Sequence, residues 1–354
     1  MIAPTRPTAR AIDVRARAPL RLGLAGGGTD LSPYCDQFGG AVLNATIDRF
    51  AFAHIGPNPD GGISFRARDL GAEEHFKSLD EIGLDQGLLL HRAVYRHVVE
   101  TWLGGEAPAL TVSTTIDAPA GSGLGSSSAL AVALVEAFRV ALDLPLGPYD
   151  VARLAFDIER VKLGLAGGRQ DQYAAAFGGV NYIEFLAQER VLVSPLRVPR
   201  AYLNELESSL VICFTGQSRR SEGIIQEQID GLNALDPETM AGMHSLKADA
   251  TAMREAMLQG QVRDVADILM RSWAAKKRTA KGIATEQVDR LFEHGMAHGA
   301  WGGKVSGAGG GGFLMFCTDP ENRYHLISAL NTAGGQASPI KFTFDGAEAW
   351  SVPR

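Results

Sequence analysis

Apolar and polar positions change their spacing along the chain, and each change marks an element. Residues 12–17 read as a strand, and the apolar run at 41–55 as further strands. At 88–103 the spacing turns helical, with Leu89, Ala93, Val94 and His97 on one face. Residues 109–115 alternate like a strand and stop at Ala118-Pro119. Helices are predicted at 127–142, 148–161 and 170–177, and a strand at 180–185. An apolar strand at 208–215 opens a second region, where 221–235, 237–258, 262–280 and 285–298 read as helices. Residues 300–312 are predicted as a glycine loop, with a strand at 313–317 behind it. Strands and helices mix without a βαβα rhythm, which favours an α+β fold over a doubly wound sheet. The change of pattern near 195–205 divides the chain into an N-terminal unit, residues 1–200, and a C-terminal unit, residues 201–354.

At 354 residues the chain is long enough for two such cores. Its 45% hydrophobic and 21% charged residues exclude a chain dominated by disorder or a collagen-like fibre. The net charge of −6 excludes a basic nucleic-acid coat, so no nucleic-acid partner is expected. It does not forbid an anionic substrate, because local geometry overrides net charge. The longest apolar stretch, 129–142, is broken by Glu136 and Arg139 and is too short to span a bilayer. The basic start, residues 1–17, lacks the apolar run of a signal peptide. Cys35, Cys213 and Cys317 have no metal-ligand spacing, so a reducing, cytoplasmic setting without disulfides or membrane contact is expected.

Of the 41 glycines, 17 cluster at 23–28, 121–125, 164–168 and 302–312, with no repeat to explain them. Clustered glycine means backbone at positive φ or backbone brought close to something else. Four such loops suggest one site assembled from several. In Pro119-Ala-Gly-Ser-Gly-Leu-Gly-Ser-Ser-Ser128, small residues run directly into a predicted helix. Backbone N–H groups and a helix N-terminus there suit an anion, phosphate above all. A capped helix start without ligand has the same composition. The loop lacks the Gly-Lys-Ser/Thr ending of a Walker sequence, and Ser126 replaces the last glycine of a dinucleotide fingerprint. The G-x-G-x-x-G at 307–312 precedes a strand instead of following one.

The same loop resembles the P-x-x-x-G-L-G-S-S phosphate loop of the GHMP kinases (galactokinase, homoserine kinase, mevalonate kinase and phosphomevalonate kinase). Ala18-Pro-Leu-Arg21, leading to Gly26-Gly-Gly-Thr-Asp30, is similar to that family's N-terminal substrate motif. Lys304-Val-Ser-Gly-Ala-Gly-Gly-Gly-Gly-Phe313 is similar to its C-terminal glycine motif. The three motifs fall in order over residues 18–313. The resemblance implies a two-domain α+β fold with the active site in the cleft between domains. Residues 24–48 and 170–179, with Phe214-Thr-Gly-Gln-Ser-Arg219, are similar to the branch acting on D-glycero-D-manno-heptose 7-phosphate. Galactokinases carry Glu-His before the Thr-Asp pair, where this chain has Gly27-Gly28, which argues against galactose.

Phosphoryl transfer to a hydroxyl needs a phosphate cradle, a holder for Mg²⁺, a base and a cation near the moving charge. The resemblance implies ATP and Mg²⁺ as cofactors and a sugar phosphate as the small-molecule partner. It makes Gly121, Ser122, Gly123, Leu124, Gly125, Ser126, Ser127 and Ser128 the cradle. Ser127 and Glu159 become the metal ligands, of the hard-oxygen type Mg²⁺ requires. Asp171 becomes the base and Arg21 its charge-balancing partner. Gly27, Gly28, Thr29 and Asp30 would meet the sugar, a carboxylate being able to accept from two neighbouring hydroxyls. Gly309 and Gly310 would let the C-terminal unit approach the substrate closely. Arg219 and Lys276, from the runs Ser218-Arg-Arg220 and Lys276-Lys-Arg278, are candidates for the sugar's distal phosphate. His294 and His298 lie four apart but lack the third ligand of a zinc site, so a plain helix face is expected.

Overall fold

The structure, a computed structural model, describes residues 12–119, 121–217 and 222–352. The chain opens with β1 (Val14–Ala25), the short helix α1 (Tyr34–Phe38) and the long strand β2 (Gly40–Pro57). After β3 (Ile63–Ala67), β4 (Ala72–Phe76), α2 (Leu89–Trp102) and β5 (Leu110–Ile116) come α3 (Ser126–Ala141) and α4 (Pro148–Phe156). A π-helical turn at Asp157–Lys162 leads to α5 (Gln170–Phe177), β6 (Val180–Phe185) and β7 (Val191–Pro195). Then follow α6 (Arg200–Ser209), β8 (Leu210–Phe214), α7 (Glu222–Asn233), α8 (Pro237–Gln259), α9 (Val262–Lys277) and α10 (Glu286–Ala297). The chain ends with β9 (Ala300–Val305), β10 (Phe313–Thr318), α11 (Arg323–Thr332), β11 (Gln336–Pro339) and β12 (Glu348–Ser351).

Two sheets result. The first runs β12-β1-β2-β5-β3-β4, with β6 on the other end of β2 and β7 beside β6. Only β3 and β5 pair in parallel among its described strands. The second is the antiparallel sheet β11-β8-β10-β9. Strand β1 shows how sequence and packing divide the work. Its first turns alternate, with Val14 and Ala16 buried and Arg15 and Arg17 turned outward, as a half-covered strand requires. From Ala18 onward every residue is buried, because α3, α5 and α8 all pack on this half. Leu20, Leu22 and Leu24 are fully buried there, each worth about 1.5–3 kcal/mol against exposure. Arg21 is carried into the interior by the same strand.

The expected α+β class holds, and most helices fall within a few residues of their predicted bounds. Four expectations need correction. The strand at 12–17 continues to Ala25, because buried neighbours on both sides keep it extended. The helix at 148–161 gives way at Asp157 to the π turn, which brings Glu159 inward. Residues 208 and 209 end α6, so the strand starts at Leu210. Residues 300–305 form strand β9 rather than loop; a Cβ on Gly302 would run into the Ala266 carbonyl of α9, so glycine here serves close packing. Short elements such as α1, β4, β7 and β12 carried no usable pattern. No helix among the described residues is long and apolar enough to cross a membrane.

Candidate active site

The serine–glycine run does form a helix start: Gly125, at φ 73°, precedes α3, whose first residues are Ser126, Ser127 and Ser128. The loop is stitched to the rest of the molecule by its own backbone. Leu124 O accepts from Arg21 N at 3.0 Å, and Ser122 O accepts from Phe313 N at 2.9 Å. Gly123, at φ 78°, lies against the Ser306 carbonyl, where a Cβ would sit 2.5 Å from that oxygen. Ser306 Oγ donates to Gly123 O at 3.1 Å. The glycine loop from the N-terminal half and the turn before β10 therefore form one continuous backbone surface.

Around it stand three polar clusters. Arg21 Nε donates to Asp171 Oδ1 at 2.7 Å, Nη2 reaches the same oxygen at 2.6 Å, and Nη1 donates to Gly123 O at 2.6 Å. Among the described residues no donor bonds Asp171 Oδ2. Ser127 Oγ donates to Glu159 Oε1 at 2.7 Å, while Gln172 Nε2 donates to Oε2 at 2.6 Å and to Ser128 Oγ at 3.0 Å. Asp30, almost wholly buried, accepts from Gly28 N at 3.1 Å, Gln170 N at 3.0 Å and Gln170 Nε2 at 3.0 Å. Gly168 must be glycine for this, since a Cβ there would collide with the Asp30 carboxylate.

These clusters open onto one cavity of about 260 Å³ between the two halves. From the N-terminal half it is lined by Arg21, Gly27, Gly28, Asp30 and Asp171. Cradle residues Gly121, Gly123, Gly125, Ser126, Ser127 and Ser128 also face it. The C-terminal half contributes Gly309 and Lys276 among the expected residues. Lys276 is buried, not on a solvated face, and its Nζ donates to Gly27 O at 3.3 Å. Burial pulls its ammonium down to about 8, against the upward pull of Asp30 and Asp171. Ser122 and Leu124 shape the loop from behind, and buried Glu159 reaches the cavity through Ser127. Thr29 is turned away, bonding the carbonyls of Gly26 and Ala41 at 2.8 and 2.9 Å. Gly310 donates its N–H to Ile283 O at 2.8 Å and lines the turn, not the cavity. Arg219 lies outside the described residues.

Sequence reasoning passed over several residues found here. Gln170 and Gln172 organise Asp30 and Glu159, and the i, i+2 spacing of polar residues around Asp171 was the available signal. Lys304 is buried with its Nζ on Gly23 O at 2.7 Å, and burial, then the nearby Lys276, holds its ammonium well below its ordinary range. Arg160 also lines the cavity. The histidines stay apart from it: His91 is a core residue bonded to Thr114 Oγ1 at 2.9 Å, and His294 and His298 stack at 4.1 Å. Among the described residues no group of three or more His, Cys, Asp or Glu could hold a metal, so a metal here needs hydroxyl or ligand oxygens as well.

The chain is similar to known proteins over nearly its whole length. Residues 89–179 match the GHMP kinases N terminal domain, and residues 253–336 the GHMP kinases C terminal domain. The D-glycero-alpha-D-manno-heptose 7-phosphate kinase of Campylobacter jejuni is 39% identical over 339 residues, covering 96% of this chain and 99% of its own. The crystal structure of a D-glycero-D-manno-heptose 1-phosphate kinase from Bacteroides thetaiotaomicron has 40% identity and a TM-score of 0.81, covering 96% of this chain and all of its own. Lactococcus lactis galactokinase, at 18% identity and a TM-score of 0.74 over 96% of this chain and 95% of its own, shares the fold.

Proposed function

The chain belongs to the GHMP kinases and is an ATP-dependent phosphotransferase, and on that footing we propose that its acceptor is the C1 hydroxyl of D-glycero-D-manno-heptose 7-phosphate. The product is the 1,7-bisphosphate. The observation that carries the reading is the convergence on one cavity of Asp171, held by Arg21, and the Ser127–Glu159 oxygen pair beside the glycine cradle. Full-length similarity to a heptose 7-phosphate kinase supports the choice of sugar.

In this reading the ATP phosphates rest on the backbone of 121–128. Arg21 engages only Oδ1 of Asp171, so Oδ2 is left to take the C1 proton. The bond from the C1 oxygen to the γ phosphorus forms as the bond to the β,γ-bridging oxygen breaks, and ADP leaves with that electron pair. Ser127 and Glu159 would hold Mg²⁺, since both present the hard oxygens it requires, 2.7 Å apart. When bound, the ion offsets the charge on the phosphates. Gln172 fixes the far oxygen of Glu159, so that carboxylate cannot rotate freely. Asp30, oriented by Gln170 and Gly28, accepts from the sugar hydroxyls, while Lys276 and Arg219 meet the distal phosphate. Residues 1–200 and 201–354 form the two units flanking the cavity, with β12 returning to the first sheet. The reaction takes place in the cytoplasm.

The deciding measurement is kcat/KM for the heptose 7-phosphate and the unphosphorylated heptose, with phosphorus NMR to place the new phosphate. Losing about two charge-assisted hydrogen bonds should cost the free sugar a factor of about 10²–10⁴. The name of the Bacteroides protein makes heptose 1-phosphate the natural competitor in the same assay. Equal efficiency on both heptoses, or phosphate appearing anywhere but C1, would sink the proposal.

A further inference from the structure

We propose that Arg160 is the cation facing the phosphoryl group in transit. The inference deepens the kinase reading and rests on it. A transferring phosphoryl group spreads negative charge over three equatorial oxygens, and a positive group near them stabilises the transition state. Four described cations line the cavity: Arg21, Arg160, Lys276 and Lys304. Arg21 is bound to Asp171, Lys304 is tied to Gly23 O at 2.7 Å, and Lys276 lies toward Gly27 at the Asp30 end. Among the described residues Lys276 has only that contact, 3.3 Å long, but carboxylates stand near it; Arg160 is held by longer contacts still and has no carboxylate partner. Its Nη1 is 3.4 Å from the carbonyls of Leu165 and Ala166, and its Nη2 is 3.5 Å from Ser128 Oγ. Its Nε is buried with no hydrogen-bond partner among the described residues.

These separations exceed the 2.7–3.2 Å of ordinary N–H···O bonds. Among the described residues no carboxylate forms an ion pair with Arg160. A guanidinium has five donors, and leaving them poorly matched in a partly closed cavity is costly unless an anion completes them. Its position selects the anion. Arg160 directly follows Glu159, and its fork reaches Ser128 in the first turn of α3, the helix whose start carries the cradle. That sets it beside the cradle, while Gly167 and Gly168, adjacent in the chain, pack against the Arg160 guanidinium and the Asp30 carboxylate, so the fork lies between the donor phosphates and the acceptor hydroxyls. Gly167 is shaped for the same purpose, since a Cβ there would overlap the Arg160 guanidinium. The flat fork suits two phosphoryl oxygens at once. Arg160 makes and breaks no covalent bond; it supplies charge while the proton passes to Asp171 and ADP departs.

The test is Arg160→Gln and Arg160→Lys in the full chain, with thermal melting to confirm folding. Both should lower kcat, glutamine by about 10²–10³ and lysine by less, with KM for ATP and for the acceptor changed by no more than about threefold. Affinity for ADP with aluminium fluoride, a mimic of the phosphoryl in flight, should fall by a factor similar to that in kcat, while affinity for ADP alone holds. A purely structural role would not separate those two affinities. Unchanged kcat would overturn the proposal. So would a rise in acceptor KM confined to the phosphorylated sugar, which would put Arg160 on the acceptor's own phosphate. If the wild type transfers nothing to the heptose, the acceptor reading alone fails, and the ADP–aluminium fluoride comparison still decides Arg160.

Discussion

A single added carbon at Gly168 should disable recognition of the acceptor and leave the nucleotide site intact. In Gly168→Ala the new Cβ is driven into the Asp30 carboxylate. That carboxylate accepts three hydrogen bonds, from Gly28 N at 3.1 Å and from Gln170 N and Nε2, each at 3.0 Å. Two of the three come from a residue only two positions beyond Gly168, so backing the loop away also withdraws the donors. At least one bond to the charged acceptor should be lost, worth about 1.5–3 kcal/mol. Expressed as transition-state binding, that is a fall of roughly 10–150-fold in kcat/KM for the sugar, with KM for ATP within about twofold of wild type. The control is Gly164→Ala in the same loop, where φ is +64° and the added carbon meets open space. It should cost about 1–2 kcal/mol of left-handed strain, read as a lower Tm with kcat/KM preserved. Steady-state kinetics on both variants, varying one substrate at a time, gives the answer. Wild-type kcat/KM for the sugar in Gly168→Ala would refute the placement of Asp30 at the acceptor.

Asp171→Asn keeps the shape of the base but not its proton affinity, so ATP affinity should hold while transfer falls by about 10²–10⁴-fold; near-normal turnover would remove Asp171 from that role. Glu159→Gln should raise the Mg²⁺ concentration giving half-maximal rate, because it replaces one of the two hard oxygens and disturbs the bond to Gln172; an unchanged Mg²⁺ titration would exclude it. Burial pulls His91 from 6.5 down to about 4, which makes the fold acid-sensitive. With the folded value depressed, the contribution is complete above 6.5 and is lost as pH falls toward 4, by roughly 3 kcal/mol. Urea unfolding at pH 7.5 and 4.5 should show a smaller acid loss in His91→Gln, and equal losses in both proteins would contradict this.

Much of the site could be read from residues close together in the chain. The cradle is an example: whether 121–128 forms a glycine turn opening a helix depends on small side chains within a few positions, and the structure has that turn. Asp171 in the first turn of α5 and the α+β class are legible for the same reason, because local backbone preference and apolar spacing act over short range. Lys276 shows the limit. Inside Lys276-Lys-Arg278 it looks like one of three solvated charges, yet folding buries it against the Gly27 carbonyl while Lys277 stays exposed. The Ser127–Glu159 pair spans 32 positions, Arg21–Asp171 spans 150, and Lys304–Gly23 spans 281. No local preference encodes such contacts, since burial, desolvation and the meeting of distant side chains are properties of packed layers. For the same reason Arg160, one more charge beside Glu159 in the sequence, stands out only when folded: tertiary packing buries its Nε, withholds a carboxylate and turns it toward the cavity.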